Sequence, residues 1–202
     1  MVIVLCGKSG SGKDAIASAL SEFDGVKRMV SSTSRPMREG ETDGKEYNFL
    51  SKEAFNEKVQ NGDFIEYRLY DTLVGGNPDI WGYGTEKFKA SEEVLVAIKD
   101  LKGAKKIKDY CDEIDEPCMC VLITCPDRIR KERAMARGSF DETEWERRLA
   151  ADREDFSAQK ISAVIDYDIV NDGTWLPGGI AGHIYRMSKE FEKEDELPFG
   201  MD

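Results

Sequence analysis

Seven residues near the start of the chain, Gly7-Lys8-Ser9-Gly10-Ser11-Gly12-Lys13, have the types and spacing needed to hold phosphate. Glycines let backbone N–H groups turn inward around phosphate oxygens, and a helix opening at such a loop adds partial positive charge. Lys13 adds a full one. Val2 to Cys6 is an unbroken apolar run ahead of the loop, and Ile16, Ala19 and Leu20 recur at helical spacing behind it, so strand, loop and helix follow in the order the chemistry needs. Gly7, Ser9, Gly10, Ser11, Gly12 and Lys13 are therefore candidate ligands for the phosphates of ATP. Where such loops continue with Ser or Thr, whose hydroxyl sits on Mg²⁺, this chain has Asp14. A carboxylate oxygen is itself a good ligand for that hard cation, which makes Asp14 a candidate metal ligand. An acid in a first helical turn is also favoured by the helix dipole alone.

A second constellation runs from Val30 to Phe49, VSSTSRPMREGETDGKEYNF. Arg35 and Arg38 can fork onto the oxygens of a monophosphate, and Tyr47 and Tyr83 would add phenolic donors. Further on come FIEY at 64 to 67, Tyr83-Gly84-Thr85, Asp100 with Gly103, Arg133, Arg137-Gly138, Arg147-Arg148-Leu149 and Asn171-Asp172. In this order the set resembles guanylate kinases, whose acceptor segment reads close to S-S-T-T-R-x-P-R-x-G-E-x-(x)-G-x-D-Y-x-F. The resemblance spans residues 3 to 172.

The resemblance implies a P-loop nucleoside monophosphate kinase that transfers phosphate from Mg·ATP to GMP or dGMP. Carried over residue by residue, Arg35, Arg38, Tyr47 and Tyr83 would take the GMP phosphate. Glu66 and Asp100 would accept from the guanine ring N–H and amine, and Ser31 and Thr85 would donate to its O6 and N7 side. Adenine would leave such a carboxylate unpaired, which gives strong discrimination. Arg133, Arg137 and Arg148 resemble lid arginines over the donor, and Asn171 the residue beside the adenine of ATP. Lys13, Arg35 and these lid arginines would neutralise charge during transfer, a reaction that needs alignment more than acid–base work. Closure over the nucleotides should exclude water, so open and closed forms are expected.

Each residue also has a plainer reading. Arg35 and Arg38 fit solvated loop charges, Glu66 a surface strand position, Asp100 a helix N-cap before Leu101 and Asn171 a turn. Arg147 competes with Arg148, and Arg128, Arg130 and Arg153 read as a solvated helix face. Three departures from the family pattern stand out: Ala15 replaces a hydroxyl residue, the link 67 to 82 is longer by about five residues, within usual loop tolerance, and Ile98-Lys99-Asp100 stands where Asp-x-Asp is common. A carboxylate lost at Ile98 and regained at Asp14 would keep the charge near Mg²⁺ roughly constant.

Strands are expected at Val2 to Cys6, Val26 to Val30, Tyr47 to Leu50, Phe64 to Tyr70, Val94 to Ile98, Met119 to Ile123 and Tyr167 to Val170. Helices are expected after the first loop, from Ser51, over Leu101 to Tyr110, from Pro126 with a break at Gly138-Ser139, and near 178 to 191. The polar stretch 31 to 47 has too little apolar content for a core, and the glycine-rich residues 71 to 84 read as a long connection. Alternating strands and helices imply an α/β fold of the P-loop NTPase type, a five-stranded parallel sheet with helices on both faces. The expected partition is a core of 1–31, 85–127 and 157–192, an acceptor-binding region 32–84 that is an appendage rather than a separate domain, an arginine-rich lid 128–156 and an acidic tail 193–202.

The chain of 202 residues carries Lys+Arg 29 against Asp+Glu 40, a net charge of −11. Its surface as a whole repels nucleic acid, and an anionic ligand needs local cationic clusters. The apolar runs are shorter than the about 20 residues of a membrane span, and the first lacks the basic flank of a secretory signal. A cytoplasmic setting without a membrane partner is expected. The odd count of 5 cysteines, without a C-x-x-C pair, favours buried free thiols over disulfides or a structural metal. His183, the sole histidine, reads as a surface or packing residue. Oligomeric state, monomer or homodimer, stays open. So do a kinase of another (deoxy)nucleoside monophosphate and a non-catalytic binding module of the same fold.

Overall fold

The computed structural model describes residues 1–74, 76–136 and 140–195, without the side chains of Glu144, Arg148, Ala151 and 193–195. From the N-terminus run β1 (Val2–Cys6), α1 (Lys13–Leu20) and β2 (Val26–Arg28). Then follow β3 (Ser32–Thr33), β4 (Asn48–Phe49), α2 (Lys52–Asn61), β5 (Phe64–Val74) and β6 (Asn77–Glu86). The remainder holds β7 (Val94–Ile98), α3 (Leu101–Glu113), β8 (Cys118–Thr124), α4 (Asp127–Ala136), α5 (Glu142–Asp155), α6 (Ala158–Ser162), β9 (Tyr167–Val170) and α7 (Pro177–Asp195). Contacts divide the chain into two compact units, Met1–Arg28 with Ala90–Asp202, and Met29–Lys89.

The first unit is built on a five-stranded sheet ordered β2-β7-β1-β8-β9, with every neighbouring pair parallel. All five residues of β1 are buried, as a central parallel strand covered on both faces requires. Ile3 and Leu5 join Ile16, Ala17 and Leu20 of α1 and Ile180, Ala181 and Ile184 of α7 in one core cluster. The alternate residues Val2, Val4 and Cys6 point to the other face. There α3 lies against β1 and β8 and buries Leu101, Ala104, Ile107 and Cys111. All five cysteines are free thiols, four of them buried, as their spacing predicts. Burial, first among the causes, raises the Cys6 thiol above its ordinary range.

The second unit holds a four-stranded mixed sheet ordered β4-β3-β6-β5. Two expectations are corrected here. Residues 71 to 84 are no long connection: β5 and β6 form one antiparallel hairpin in which Val74 pairs with Asn77. Pro78 is tolerated in β6 because β3 pairs only with the far part of that strand, at Gly84 and Tyr83, so its missing N–H faces no third strand. The glycines that suggested a loop permit close packing instead. A Cβ at Gly82 would stand 2.4 Å from the Phe55 ring, and one at Gly84 2.7 Å from Phe64.

The second correction concerns the polar stretch 31 to 47. Ser32, Thr33, Ser34 and Arg35 are all buried. Hydrogen bonding offsets their desolvation. Ser32 Oγ donates to Glu86 (2.5 Å), Thr33 Oγ1 donates to the Gly82 carbonyl (2.8 Å), and the Gly82 N–H donates back to Ser34 Oγ (2.8 Å).

Local signals set the helix ends. Ser51 Oγ accepts from the Ala54 N–H at 3.1 Å and starts α2. The Pro126 carbonyl accepts from Arg130 N–H as α4 opens. The helix α6 was not expected from the sequence, and α7 runs on to Asp195, into the stretch read as a tail. No helix among the described residues is long and apolar enough to cross a membrane.

Gly82 has an ordinary backbone conformation, so replacing it isolates the packing constraint. Gly82→Ala is expected to destabilise the protein by about 1–3 kcal/mol through overpacking against Phe55, measured as a lower urea midpoint with an unchanged m-value.

Candidate active site

The loop after β1 is held open by its own carbonyl groups. Lys13 Nζ donates to the Gly7 and Lys8 carbonyls at 2.7 and 3.0 Å. The next three carbonyls each receive a side chain from a distant part of the chain. Arg130 Nε reaches Ser9 (2.7 Å), Arg133 Nη1 reaches Gly10 (3.3 Å) and Asn171 Nδ2 reaches Ser11 (2.8 Å). A trans peptide points its C=O and its N–H in opposite directions. Turning these carbonyls toward α4 and the end of β9 therefore turns the Gly10 and Gly12 N–H groups the other way. Ser11 Oγ is buried without a hydrogen-bond partner among the described residues, a costly state for a hydroxyl that an incoming phosphate oxygen would relieve.

Two glycines of the loop are required by geometry. Gly7 (φ 147°) would bring a Cβ to 2.4 Å from the Ile123 carbonyl, and Gly12 (φ 96°) to 2.4 Å from Asn171 Nδ2. Gly12 is also the N-cap of α1, so the helix opens at the loop with its first N–H groups unpaired inside the helix. Burial lowers the Lys13 pKa, and the neighbouring Asp14 carboxylate opposes that shift. Asp14 Oδ1 accepts from Arg28 Nη2 at 3.0 Å, with the two side chains 79% and 40% exposed. A pair so exposed contributes only about 0–1 kcal/mol and does not hold the carboxylate against a stronger partner. Among the described residues no cluster of three or more His, Cys, Asp or Glu could hold a metal.

The wall of this loop corrects the reading of α4. Arg130, expected on a solvated face, is fully buried and also bonds Asp127 (2.6 Å) and the Asp152 carboxylate. Arg133 adds a bond from Nη2 to Asn171 Oδ1 at 3.2 Å. Asn171, its own N–H on the Thr124 carbonyl, braces the loop from below. Arg137 lies outside the described residues, as does the side chain of Arg148, whose backbone belongs to α5.

In the second unit, Arg35 is almost fully buried. Its guanidinium forks onto Glu41 with contacts of 2.8 and 2.6 Å and lies 5.3 Å from the Tyr47 ring centroid and 5.4 Å from that of Phe49. Glu41 also accepts from the Arg38 N–H at 2.7 Å. The Arg35 hydrogen bond, ahead of the others, pulls the Glu41 pKa down to about 2. Tyr83 packs edge-on against Tyr47 at 5.8 Å and against Tyr70 at 5.6 Å, and burial raises the Tyr47 phenol. Arg35, Arg38, Tyr47 and Tyr83 are thus brought together at the Arg35–Glu41 pair, and Glu41 had no role in the sequence reading. The family pattern contains that glutamate, but a carboxylate repels phosphate and is not read as part of its site.

Glu66 and Thr85 pair directly across β5 and β6, and the Thr85 hydroxyl donates to Glu66 Oε1 at 2.7 Å. The Ser31 carbonyl accepts from the Asn48 N–H at 3.0 Å, just ahead of β3. Asp100, in the first unit, caps α3 by accepting from the Gly103 N–H at 2.7 Å, so the plainer reading of that residue holds in the structure.

The guanylate kinase family model matches residues 1–175. A guanylate kinase of Clostridioides difficile (strain 630) is 34% identical over 178 residues, covering 83% of this chain and 77% of that protein. One from Chlorobium luteolum is 34% identical over 179 residues, 85% of each chain. The crystal structure of guanylate kinase from Anaplasma phagocytophilum superposes with a TM-score of 0.56 at 24% identity, covering 98% of this chain and 87% of that one.

The Arg35–Glu41 pair makes stability depend on acid. With its folded pKa depressed to about 2 from an ordinary 4.5, Glu41 contributes stability that is fully present above pH 4.5 and is lost as pH falls through about 2. Unfolding free energies measured by urea titration should therefore show the wild-type chain more stable than Glu41→Gln at pH 6, with the difference shrinking steadily between pH 4.5 and 2.

Proposed function

The chain belongs to the guanylate kinase family, and from that premise we propose how it moves the γ-phosphoryl group of ATP to GMP, and by the same contacts to dGMP, giving ADP and GDP or dGDP. In the reaction a phosphate oxygen of the acceptor attacks the γ-phosphorus, and the bond from that phosphorus to the β–γ bridging oxygen breaks. No proton needs to move in that step. The demand is for alignment and for cations around spreading negative charge.

The observation that carries the donor half is the loop of Gly7 to Lys13, whose Ser9, Gly10 and Ser11 carbonyls are turned onto Arg130, Arg133 and Asn171. Its inward N–H groups, the Ser11 hydroxyl and the Lys13 ammonium are proposed to hold the ATP phosphates, with Arg133, Arg137 and Arg148 adding charge. Lys13 is held ready on two carbonyls that a phosphate oxygen would displace. Mg²⁺ arriving with ATP would neutralise the β- and γ-phosphates, and Asp14 is the residue proposed to hold it. Its weak exposed bond to Arg28 is one that a divalent cation outcompetes.

For the acceptor, Arg35 with Arg38, Tyr47 and Tyr83 is proposed to bind the GMP phosphate. Glu41 keeps the Arg35 fork flat and fixed, so little side-chain entropy remains to be lost on binding. Glu66 would accept from the guanine N–H and amine, Thr85 and Ser31 would serve the O6 side, and Asp100 is a further proposed guanine contact. A cytoplasmic setting is supported by five free thiols, which persist in a reducing compartment.

Coupled ADP release with Mg·ATP against GMP, dGMP, AMP, CMP, UMP and dTMP tests the reading. Turnover confined to GMP and dGMP is expected, and Glu66→Gln should lower kcat/KM for GMP about ten- to a hundredfold while leaving ATP binding intact. Preferred turnover of another base would keep the kinase and remove guanine, and nucleotide binding without turnover would leave only a binding module. For the metal, Asp14→Ser should move the Mg²⁺ concentration giving half-maximal rate by about threefold or more, as expected when one of few carboxylate ligands changes. An identical Mg²⁺ curve would leave Asp14 as a dipole-favoured helix acid.

A further inference from the structure

Arg130 is fully buried on a helix that is otherwise rich in exposed charge. Each guanidinium nitrogen has its own acceptor. Nε donates to the Ser9 carbonyl at 2.7 Å, Nη1 to Asp127 Oδ1 at 2.6 Å, and Nη2 to Asp152. The carbon between them sits 5.5 Å from the Trp145 ring centroid. Ser9 belongs to the loop, Asp127 to the first turn of α4, and Asp152 and Trp145 to α5. One planar cation therefore joins three segments, a geometry that lysine cannot reproduce.

The contact with Ser9 fixes a peptide plane. Because the Ser9 carbonyl is drawn to Arg130, the N–H of Gly10 on the same peptide points away from it. Gly10 also lies directly on Arg130: a Cβ there would stand 3.2 Å from the Arg130 carbonyl and 3.4 Å from its Cα. Arg130 thus sets the direction of one loop N–H and the space in which it turns.

We propose that Arg130 is a positioning residue for the donor nucleotide: it aims the Gly10 N–H at an ATP phosphate, and through Asp152 it makes that aim depend on the seating of α5. The proposal rests on the donor-site reading above. Arg130 touches no reacting atom, and its influence passes through the Ser9–Gly10 peptide. Arg130→Met keeps much of the volume, frees that peptide to rotate and strands the Asp152 carboxylate, only 14% exposed. A residue that merely stabilised the fold would, when replaced, lower the melting temperature and the active fraction, and leave both Michaelis constants of the folded enzyme unchanged.

Steady-state kinetics of Arg130→Met, Asp152→Asn and the double variant, with ATP and GMP varied separately, decide between these roles. The KM for ATP is expected to rise about tenfold, the effect of one lost charge-assisted hydrogen bond, while the KM for GMP stays within about twofold. The two substitutions should be non-additive, because they break one network. Should Arg130→Met fail to fold, Arg130→Lys is read in the same way. An unchanged KM for ATP in the folded variants, or an equal rise in both constants, overturns the proposal. A wild-type chain that does not turn over ATP with GMP overturns the donor-site reading instead.

Discussion

The direction of three peptide planes, Ser9–Gly10, Gly10–Ser11 and Ser11–Gly12, is the constraint on which the rest of the first unit depends. A glycine-rich loop left to itself has too much conformational freedom to present its N–H groups in one direction. Here the opposite ends of those peptides are tied by Arg130, Arg133 and Asn171. The sheet exists in a form that allows it: β8 and β9 pair in register up to Thr124 and Val170, so Asn171 emerges where its amide reaches Ser11. Arginine and asparagine suit the task because they are donors that cannot lose a proton at ordinary pH, and their grip on neutral carbonyls leaves the loop's field positive.

Acidity shapes both units in a different way. In a chain of net charge −11, a buried guanidinium is held in its own carboxylate clamp, as Arg35 is by Glu41 and Arg130 by Asp127 and Asp152. Such pairing offsets the desolvation of the cation and fixes its plane. It also reduces the net positive charge offered to a ligand. Geometry then matters more than charge count: a fork already locked against Tyr47 and Phe49 would lose little freedom in binding the phosphate proposed for it.

How much of this was legible in the sequence follows from the range of each interaction. The strand, loop and helix around Gly7 to Lys13 could be read because apolar runs and glycine spacing are local, and the caps at Ser51 and Asp100 because they act within three residues. Arg130 could not be read. Its partner Ser9 lies 121 residues away, and hydropathy counts any arginine as solvated. The same blindness hid the burial of Ser32 to Arg35, whose polar atoms are satisfied by Gly82 and Glu86 from β6. The hairpin of β5 and β6 was missed for another reason: Gly82 and Gly84 serve ring packing inside a strand, and a composition rule cannot separate that from a turn.

Asp14 shows how a local departure is accommodated. In place of a hydroxyl, the loop carries a carboxylate beside Lys13, and a second anion next to polyphosphate would by itself weaken binding. Arg28, on the short strand β2, stands 3.0 Å from it and balances the charge at small cost, since both groups remain largely solvated. Were a divalent cation to take the carboxylate, as proposed, Arg28 would return to water with little loss. Meanwhile Ile98, at the strand-end position where the family often places its first aspartate, packs against the hydrophobic core. An acid in the first turn of α1 is favoured there by the helix dipole, while Ile98 at the strand end adds apolar contact to the core.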